Sequence, residues 1–221
     1  MTSLSILIPA YNERATIEIL LNRVLQSPLA TDAEIIVVES QSTDGTHEWL
    51  REFAKHSNVQ VVFEDRPQGK GHAIKTALAH AHGEVVLIQD ADLEYDIADY
   101  EKLLAPIRGG QASFVLGSRH LGAMDWRYRR KDAGRWLGPF LDLGVYGFTF
   151  LFNALYGTRL TDPATMFKVF KRQCMDGITW QSNGFDLDWE IVAKFVRKGH
   201  VPAEVAVSYF PRSVKEGMKI S

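Results

Sequence analysis

Residues Val85–Glu94 read VVLIQDADLE, an apolar strand that stops abruptly at Asp90 and Asp92, with only Ala91 between them and Glu94 two residues further on. Carboxylates at i and i+2 where a strand ends converge on one hard cation, and Mg²⁺ or Mn²⁺ held by few protein oxygens keeps positions open for phosphate. A strand-to-helix turn in which one aspartate N-caps the next helix explains the same letters equally well. The choice between metal site and cap falls to the rest of the chain.

Upstream of this stretch, short apolar runs alternate with amphipathic ones. Strands are expected at Leu4–Pro9, Glu34–Glu39, Val59–Glu64 and Val85–Gln89, each followed by a helix, at Ala15–Gln26, Gly45–His56, Gly71–Ala81 and Ala98–Ile107. This βα alternation predicts an α/β fold, a mostly parallel sheet with helices on both faces. In such sheets ligands bind beyond the carboxyl ends of the strands. There the sequence places Tyr11, Asn12 and Glu13, then Glu39 and Ser40, then Arg66 and Lys70, then Asp90 and Asp92. Downstream, strands are expected at Ser113–Leu116, Met166–Phe170 and Ala203–Tyr209, and a helix from about Asp186.

With 221 residues, 46% of them apolar, and neither repeat nor low-complexity linker, residues 1–221 are expected to form a single domain. The 25 basic and 27 acidic residues give a net charge of -2, which exerts no global pull toward nucleic acid. Cys174 is the single cysteine and is expected to be a buried thiol. The N-terminus lacks the pattern of a secretory signal, so a cytoplasmic location is expected. The most apolar region, Trp136–Tyr156, is interrupted by Pro139, Asp142, three glycines and Asn153, which argues against a transmembrane span. Next to it lies a basic run, Arg127, Arg129, Arg130, Lys131 and Arg135, bordered by Trp126, Trp136, Leu137 and Phe140. Positive charge beside apolar side chains suits an anionic membrane surface, and the segment from about 124 to 156 is assigned as membrane-proximal. Core packing with a solvated loop is the alternative.

Several polar groups have two readings. Ser42, Thr43 or Asp44 caps the helix after the second strand, with Gly45 relaxing the turn. Capping leaves Glu39 unexplained, and its carboxylate suits ribose hydroxyls or a base N–H. The piece Arg66-Pro67-Gln68-Gly69-Lys70-Gly71 can bring backbone N–H groups and Lys70 to a pyrophosphate. It fits neither a P-loop, which needs glycine where Glu64 stands, nor a dinucleotide loop, which needs one where Ile74 stands. Asp186, Asp188 and Glu190 lie at an expected helix start, where a cap or the helix dipole accounts for them and catalysis is the less favoured role.

Taken together, SILIPAYNE (5–13), IIVVESQSTDGT (35–46), Gly69–Ala73, DADLE (90–94), GSR (117–119), DPATMFKVFKR (162–172) and YFPRSVKEGMKI (209–220) resemble, in order and over nearly the whole chain, the family 2 glycosyltransferases. The polyprenyl-phosphate branch, which includes dolichyl-phosphate mannose synthase, is the nearest in pattern. The resemblance implies a GT-A fold and an inverting, Mg²⁺- or Mn²⁺-assisted transfer of a hexose from a nucleotide sugar, of GDP-mannose or UDP-glucose type, to a polyprenyl phosphate. Pro9, Tyr11 and Glu13 match positions around the nucleotide, joined by Glu39, Lys70 and Ala91. Asp90 and Asp92 match the metal pair, with Glu94 where that branch often has glutamine. Arg212 and Lys219 match the basic pair over the donor phosphates, and Arg119, with Arg130, matches the acceptor-phosphate site. Asp92 and Arg212 are the expected catalytic residues. A lipid phosphate is ionised at neutral pH and needs no strong base, whereas a saccharide hydroxyl acceptor, the alternative, would need one from Asp186, Asp188 or Glu190. A nucleotide-sugar-binding module without turnover is the non-enzymatic alternative. The chain departs from the family at Glu39-Ser40-Gln41, where two aspartates and a glycine or asparagine are common, and at Gly134, where the mannose synthases tend to have serine.

Overall fold

The computed structural model describes residues 3–55, 57, 59–121 and 134–212. The first half contains β1 (Leu4–Ala10), β2 (Ala33–Glu39), β3 (Gln60–Phe63) and β4 (Val85–Ile88), separated by α1 (Ile17–Gln26), α2 (Thr46–Phe53) and α3 (Lys70–His80). The second half adds α4 (Tyr100–Arg108), β5 (Phe114–Ser118), α5 (Gly134–Tyr156), β6 (Lys168–Lys171), α6 (Leu187–Arg197) and β7 (Ala203–Ala206). All seven strands share one sheet in the order β3-β2-β1-β4-β6-β5-β7. Pairing is parallel except along β6, which runs antiparallel to both β4 and β5. The Met166–Phe170 strand expected from sequence thus begins two residues later, and the last strand stops at Ala206 instead of Tyr209.

Hydrophobic burial holds the sheet. Ile6, Leu7 and Ile8 of β1, Ile36, Val37 and Val38 of β2 and Val86, Leu87 and Ile88 of β4 have no exposed surface. Each such side chain contributes about 1.5–3 kcal/mol relative to exposure. Strands buried on both faces read as continuous apolar runs, which is why the β-branched runs in this sequence identified them.

Register prepares the functional edge. β1 pairs with β2 from Leu4↔Ala33 to Ala10↔Glu39, so these two strands end level. β4 is shorter, since Ile88 is level with Leu7 of β1. Pro9 fits here because Leu7 O, two residues earlier on the same side, accepts from Gln89 N, and β4 does not extend to Pro9. The space beyond Ile88 takes the turn that carries Asp90, Asp92 and Glu94.

Candidate active site

Three strand ends each turn through one non-glycine residue in the left-handed region: Asn12 (φ 51°) after β1, Gln41 (φ 54°) after β2 and Leu93 (φ 63°) after β4. Such conformations cost about 1 kcal/mol or more and persist where surrounding contacts over-determine them. Here the contacts lace neighbouring loops together. Asn12 N donates to Ser42 Oγ at 2.9 Å, Glu13 N to Thr46 Oγ1 at 2.9 Å, and Thr43 N to Asn12 Oδ1 at 2.8 Å. Asp44 Oδ1 accepts from Thr46 N at 3.0 Å, so Asp44 supplies the capping bond expected at the start of α2.

Neither aspartate of the turn after β4 caps the next helix, although Asp92 Oδ1 accepts from Glu94 N at 3.1 Å within the turn. The next helical turn, Ile97–Asp99, is capped by Asp96, whose Oδ1 accepts from Ala98 N at 3.0 Å. Asp90 and Asp92 face side-chain cations instead. Lys70 Nζ lies 2.5 Å from Asp90 Oδ1, and an Arg212 Nη donates to Asp92 Oδ2 at 3.1 Å. Arg212 also donates to both oxygens of Glu13, at 2.9 and 3.3 Å. Burial, together with the neighbouring carboxylates of Asp90 and Glu94, pushes the Asp92 pKa up to about 7 against the pull of Arg212. The donor set fits a hard divalent ion: the carboxylates of Asp90 and Asp92 lie two residues apart at one strand end, where the crowded negative charge raises the Asp92 pKa. Among the described residues, no group of three His, Cys, Asp or Glu gathers as a metal cage.

Glu94, expected as a third metal ligand, makes contacts with the C-terminal segment Tyr209–Arg212. Its Oε2 accepts from Tyr209 OH at 2.6 Å and its Oε1 from Arg212 N at 3.0 Å, so both oxygens serve the C-terminal strap. Glu39, expected beside the nucleotide, is turned inward. Its side chain is fully buried and accepts from Gln41 N at 3.2 Å, Ser42 N at 2.6 Å and His47 Nδ1 at 2.5 Å, which leaves it organising the β2 turn and not facing a ribose or base. Arg119 is bound bidentately by Asp162, Nε to Oδ2 at 2.7 Å and Nη2 to Oδ1 at 2.7 Å, and its guanidinium lies 5.2 Å from the Tyr209 ring centre. A guanidinium expected at an acceptor phosphate is therefore committed to a buried carboxylate. Pro9 and Ala91 lie at the strand ends as expected, and Tyr11 is partly exposed at the crevice. Arg130 and Lys219 lie outside the described residues.

The glycines around Lys70 also serve a different neighbour. A Cβ on Gly69, whose φ is 97°, would meet Asn183 O, and one on Gly71 would lie 2.7 Å from Gly184 O. His72 N donates to Asn183 O at 3.0 Å. Gly69 and Gly71 thus let the start of α3 press against the loop before α6, with Lys70 between them aimed at Asp90. Gly71→Ala is expected to destabilise the protein by about 1–3 kcal/mol through this backbone clash, read as a lowered urea midpoint with unchanged m-value.

A buried ion pair lies behind the site. Lys168 of β6 has no exposed surface, and its ammonium donates to Asp188 Oδ1 at 2.9 Å and to Thr165 O. Burial lowers the Lys168 pKa and raises that of Asp188, outweighing the opposing pull of the pairing in both. A lysine inside the apolar run MFKVF was the signal for such a pair, since a buried charge needs a partner. Glu190 accepts from Gln181 N and Ser182 N, each at 2.8 Å. Burial alone would raise its pKa, yet Lys194 and these N–H groups hold it down to about 2. Asp186 Oδ1 accepts from Gly184 N at 3.1 Å.

The seven-stranded α/β sheet, with paired aspartates beyond a shortened central strand and a cation on each, has the architecture of the GT-A fold. The chain belongs to Glycosyl transferase family 2, whose model matches residues 5–178. It is 28% identical over 194 residues to the dolichol-phosphate mannosyltransferase of Pyrococcus furiosus, covering 86% of this chain and 52% of that protein. It is 30% identical over 182 residues to the dolichyl-phosphate beta-glucosyltransferase ALG5A of Trichomonas vaginalis, covering 77% and 53%. The chain thus spans about half the length of these relatives, and they support its place in the polyprenyl-phosphate branch. Among solved structures, the mannosyltransferase PcManGT of Pyrobaculum calidifontis, in complex with GDP-Man and Mn²⁺, superposes with a TM-score of 0.64 at 22% identity, covering 92% of this chain and 54% of that one. Glucosyl-3-phosphoglycerate synthase of Mycobacterium tuberculosis gives 0.69 at 24% identity, covering 97% and 75%.

Proposed function

We propose that the chain is the catalytic unit of an inverting hexosyltransferase that moves a sugar from a nucleotide diphosphate donor to a polyprenyl phosphate at the cytoplasmic membrane surface. Asp90 and Asp92 would hold Mg²⁺ or Mn²⁺, which when bound supplies positive charge to the diphosphate leaving group. Pro9, Tyr11 and Glu13 line the nucleotide end of the crevice. Lys70 orients Asp90, and Arg212, with Lys219, stabilises charge developing on the departing diphosphate.

The observation that carries the acceptor assignment is the commitment of the three acids expected as a base for a hydroxyl acceptor. Asp188 is paired with Lys168, Glu190 is held at a pKa of about 2, and Asp186 caps its own loop. A lipid phosphate arrives ionised and dispenses with that base. The apolar surface of α5 supports a membrane location. Phe152 packs on Trp189 and Tyr156, whereas Phe148 and Phe150 are 66% and 75% exposed and Leu151 and Leu155 are exposed beside them. No described helix is long and apolar enough to cross a membrane, which suits a helix lying in the interface. Of the basic run beside it, Arg127 to Lys131 lie outside the described residues.

The test is a thermal-shift panel of nucleotide sugars with Mn²⁺, followed by transfer of the stabilising donor's sugar to polyprenyl phosphate in anionic liposomes. A donor at about 100 times its Kd is expected to raise Tm by roughly 5–10 °C. Absence of any donor-dependent shift, or transfer to saccharide hydroxyls but not to lipid phosphate, would refute the reading.

A further inference from the structure

We propose that Glu94 is the positioning residue of Arg212, anchoring the strap Tyr209–Arg212 to the turn after β4, and does not ligate the divalent ion. The inference rests on the metal-and-donor reading given above. It follows from where each polar atom of this turn is spent. Glu94 O accepts from Phe210 N at 2.8 Å, Glu94 Oε1 from Arg212 N at 3.0 Å and Glu94 Oε2 from Tyr209 OH at 2.6 Å. Tyr95 forms an isolated bridge with Tyr209, and their rings pack 5.1 Å apart. One residue thus fixes three points of the strap, at Tyr209, Phe210 and Arg212, by charge-assisted or backbone bonds.

The consequence is the placement of the guanidinium. With its backbone N–H tied to Glu94, Arg212 reaches Glu13 and Asp92 through its two terminal nitrogens. Its Nε is buried and has no hydrogen-bond partner among the described residues, lying 3.7 Å from Glu94 Oε1. A buried N–H without a partner is uncommon, and an incoming acceptor would satisfy it. An anionic diphosphate at the Asp90–Asp92 turn is an acceptor of the right charge. A Glu94 carboxylate that rotated toward the metal would give up its two side-chain bonds to the strap.

The experiment compares the parent with Glu94→Ala, Glu94→Gln and Tyr209→Phe. Calorimetric titration with Mn²⁺ alone is expected to give Glu94→Ala an affinity within about threefold of the parent, or tighter, and titration of GDP and UDP in saturating Mn²⁺ a loss of about tenfold. Glu94→Gln should recover most of that loss, because its amide can accept from Arg212 N–H and donate to the Tyr209 oxygen. Tyr209→Phe removes a hydroxyl of the strap and should weaken nucleotide binding in the same direction. Tryptic cleavage after Arg212 should accelerate about fivefold or more in Glu94→Ala and return toward the parent rate in Glu94→Gln. A loss of Mn²⁺ affinity of about tenfold in Glu94→Ala, or an unchanged cleavage rate, would overturn the proposal. If the parent bound neither Mn²⁺ nor nucleotide, the functional reading would fail, and the protease comparison would still decide the role of Glu94.

Discussion

Arg119→Ala is expected to lower the unfolding free energy by about 3–5 kcal/mol, the range for stranding one member of a buried ion pair. Asp162 is 2% exposed and its two oxygens take three bonds from Arg119, from the backbone N and from Nε and Nη2. Glu204 of β7 presents it, accepting from Thr161 N and Asp162 N at 2.9 Å. Removing the guanidinium leaves a carboxylate that burial disfavours, with His120 and the backbone N–H of residue 119 left to favour its charge. The pH dependence gives the effect a signature. Burial alone would raise the Asp162 pKa, but Arg119 outweighs it and holds the pKa below its ordinary value. In the parent this group therefore adds stability that is fully present above about pH 4 and lost as pH falls through the depressed folded pKa. In Arg119→Ala the unpaired carboxyl binds protons more tightly than in the unfolded chain, so the variant loses stability as pH rises from about 4. Urea denaturation of both proteins between pH 3 and pH 8 should show the gap widening with pH. A constant small gap would mean that Arg119 is free to serve a ligand, as the sequence alone suggested.

Which residues misled, and which did not, follows from the range of the interactions involved. Asp90, Asp92 and Lys70 were legible because strand ends are read from local apolar runs, and a parallel sheet brings those ends to one edge. Glu39 sat at such an end too, yet its direction depends on His47 in the first turn of α2, where burial and an imidazole partner turn the carboxylate inward. Arg119 and Asp162 are separated by 43 residues, and no periodicity links them. The same holds for Glu94 and Tyr209, which meet only because β7 lies beside β5 and returns the chain across the site. The antiparallel β6 was read as a strand but not oriented, since the apolar alternation of a strand carries no sign of its direction.

Asp92→Asn is expected to reduce turnover by about 10³-fold and nucleotide affinity in Mn²⁺ by about 100-fold, because it removes one of the two carboxylates that fit the ion and one anchor of Arg212. Its effect on stability should have the opposite sign. Without metal, the folded pKa of Asp92 is raised to about 7 by burial and by Asp90 and Glu94, while the unfolded value is that of an ordinary aspartate. Between about pH 4 and pH 7 the native state then holds the extra proton, so the parent in EDTA loses stability as pH rises through that window. Asparagine has no such titration. Thermal unfolding in EDTA should therefore show the variant gaining on the parent with rising pH, by up to a few kcal/mol near neutrality. Mn²⁺ should reverse the order by stabilising only the parent, and more at pH 8 than at pH 5, where a protonated Asp92 must first lose its proton to ligate. A variant less stable than the parent in EDTA at every pH would place Asp92 in the scaffold. The expected crossing places it in a site whose charges are matched only when the ion is bound.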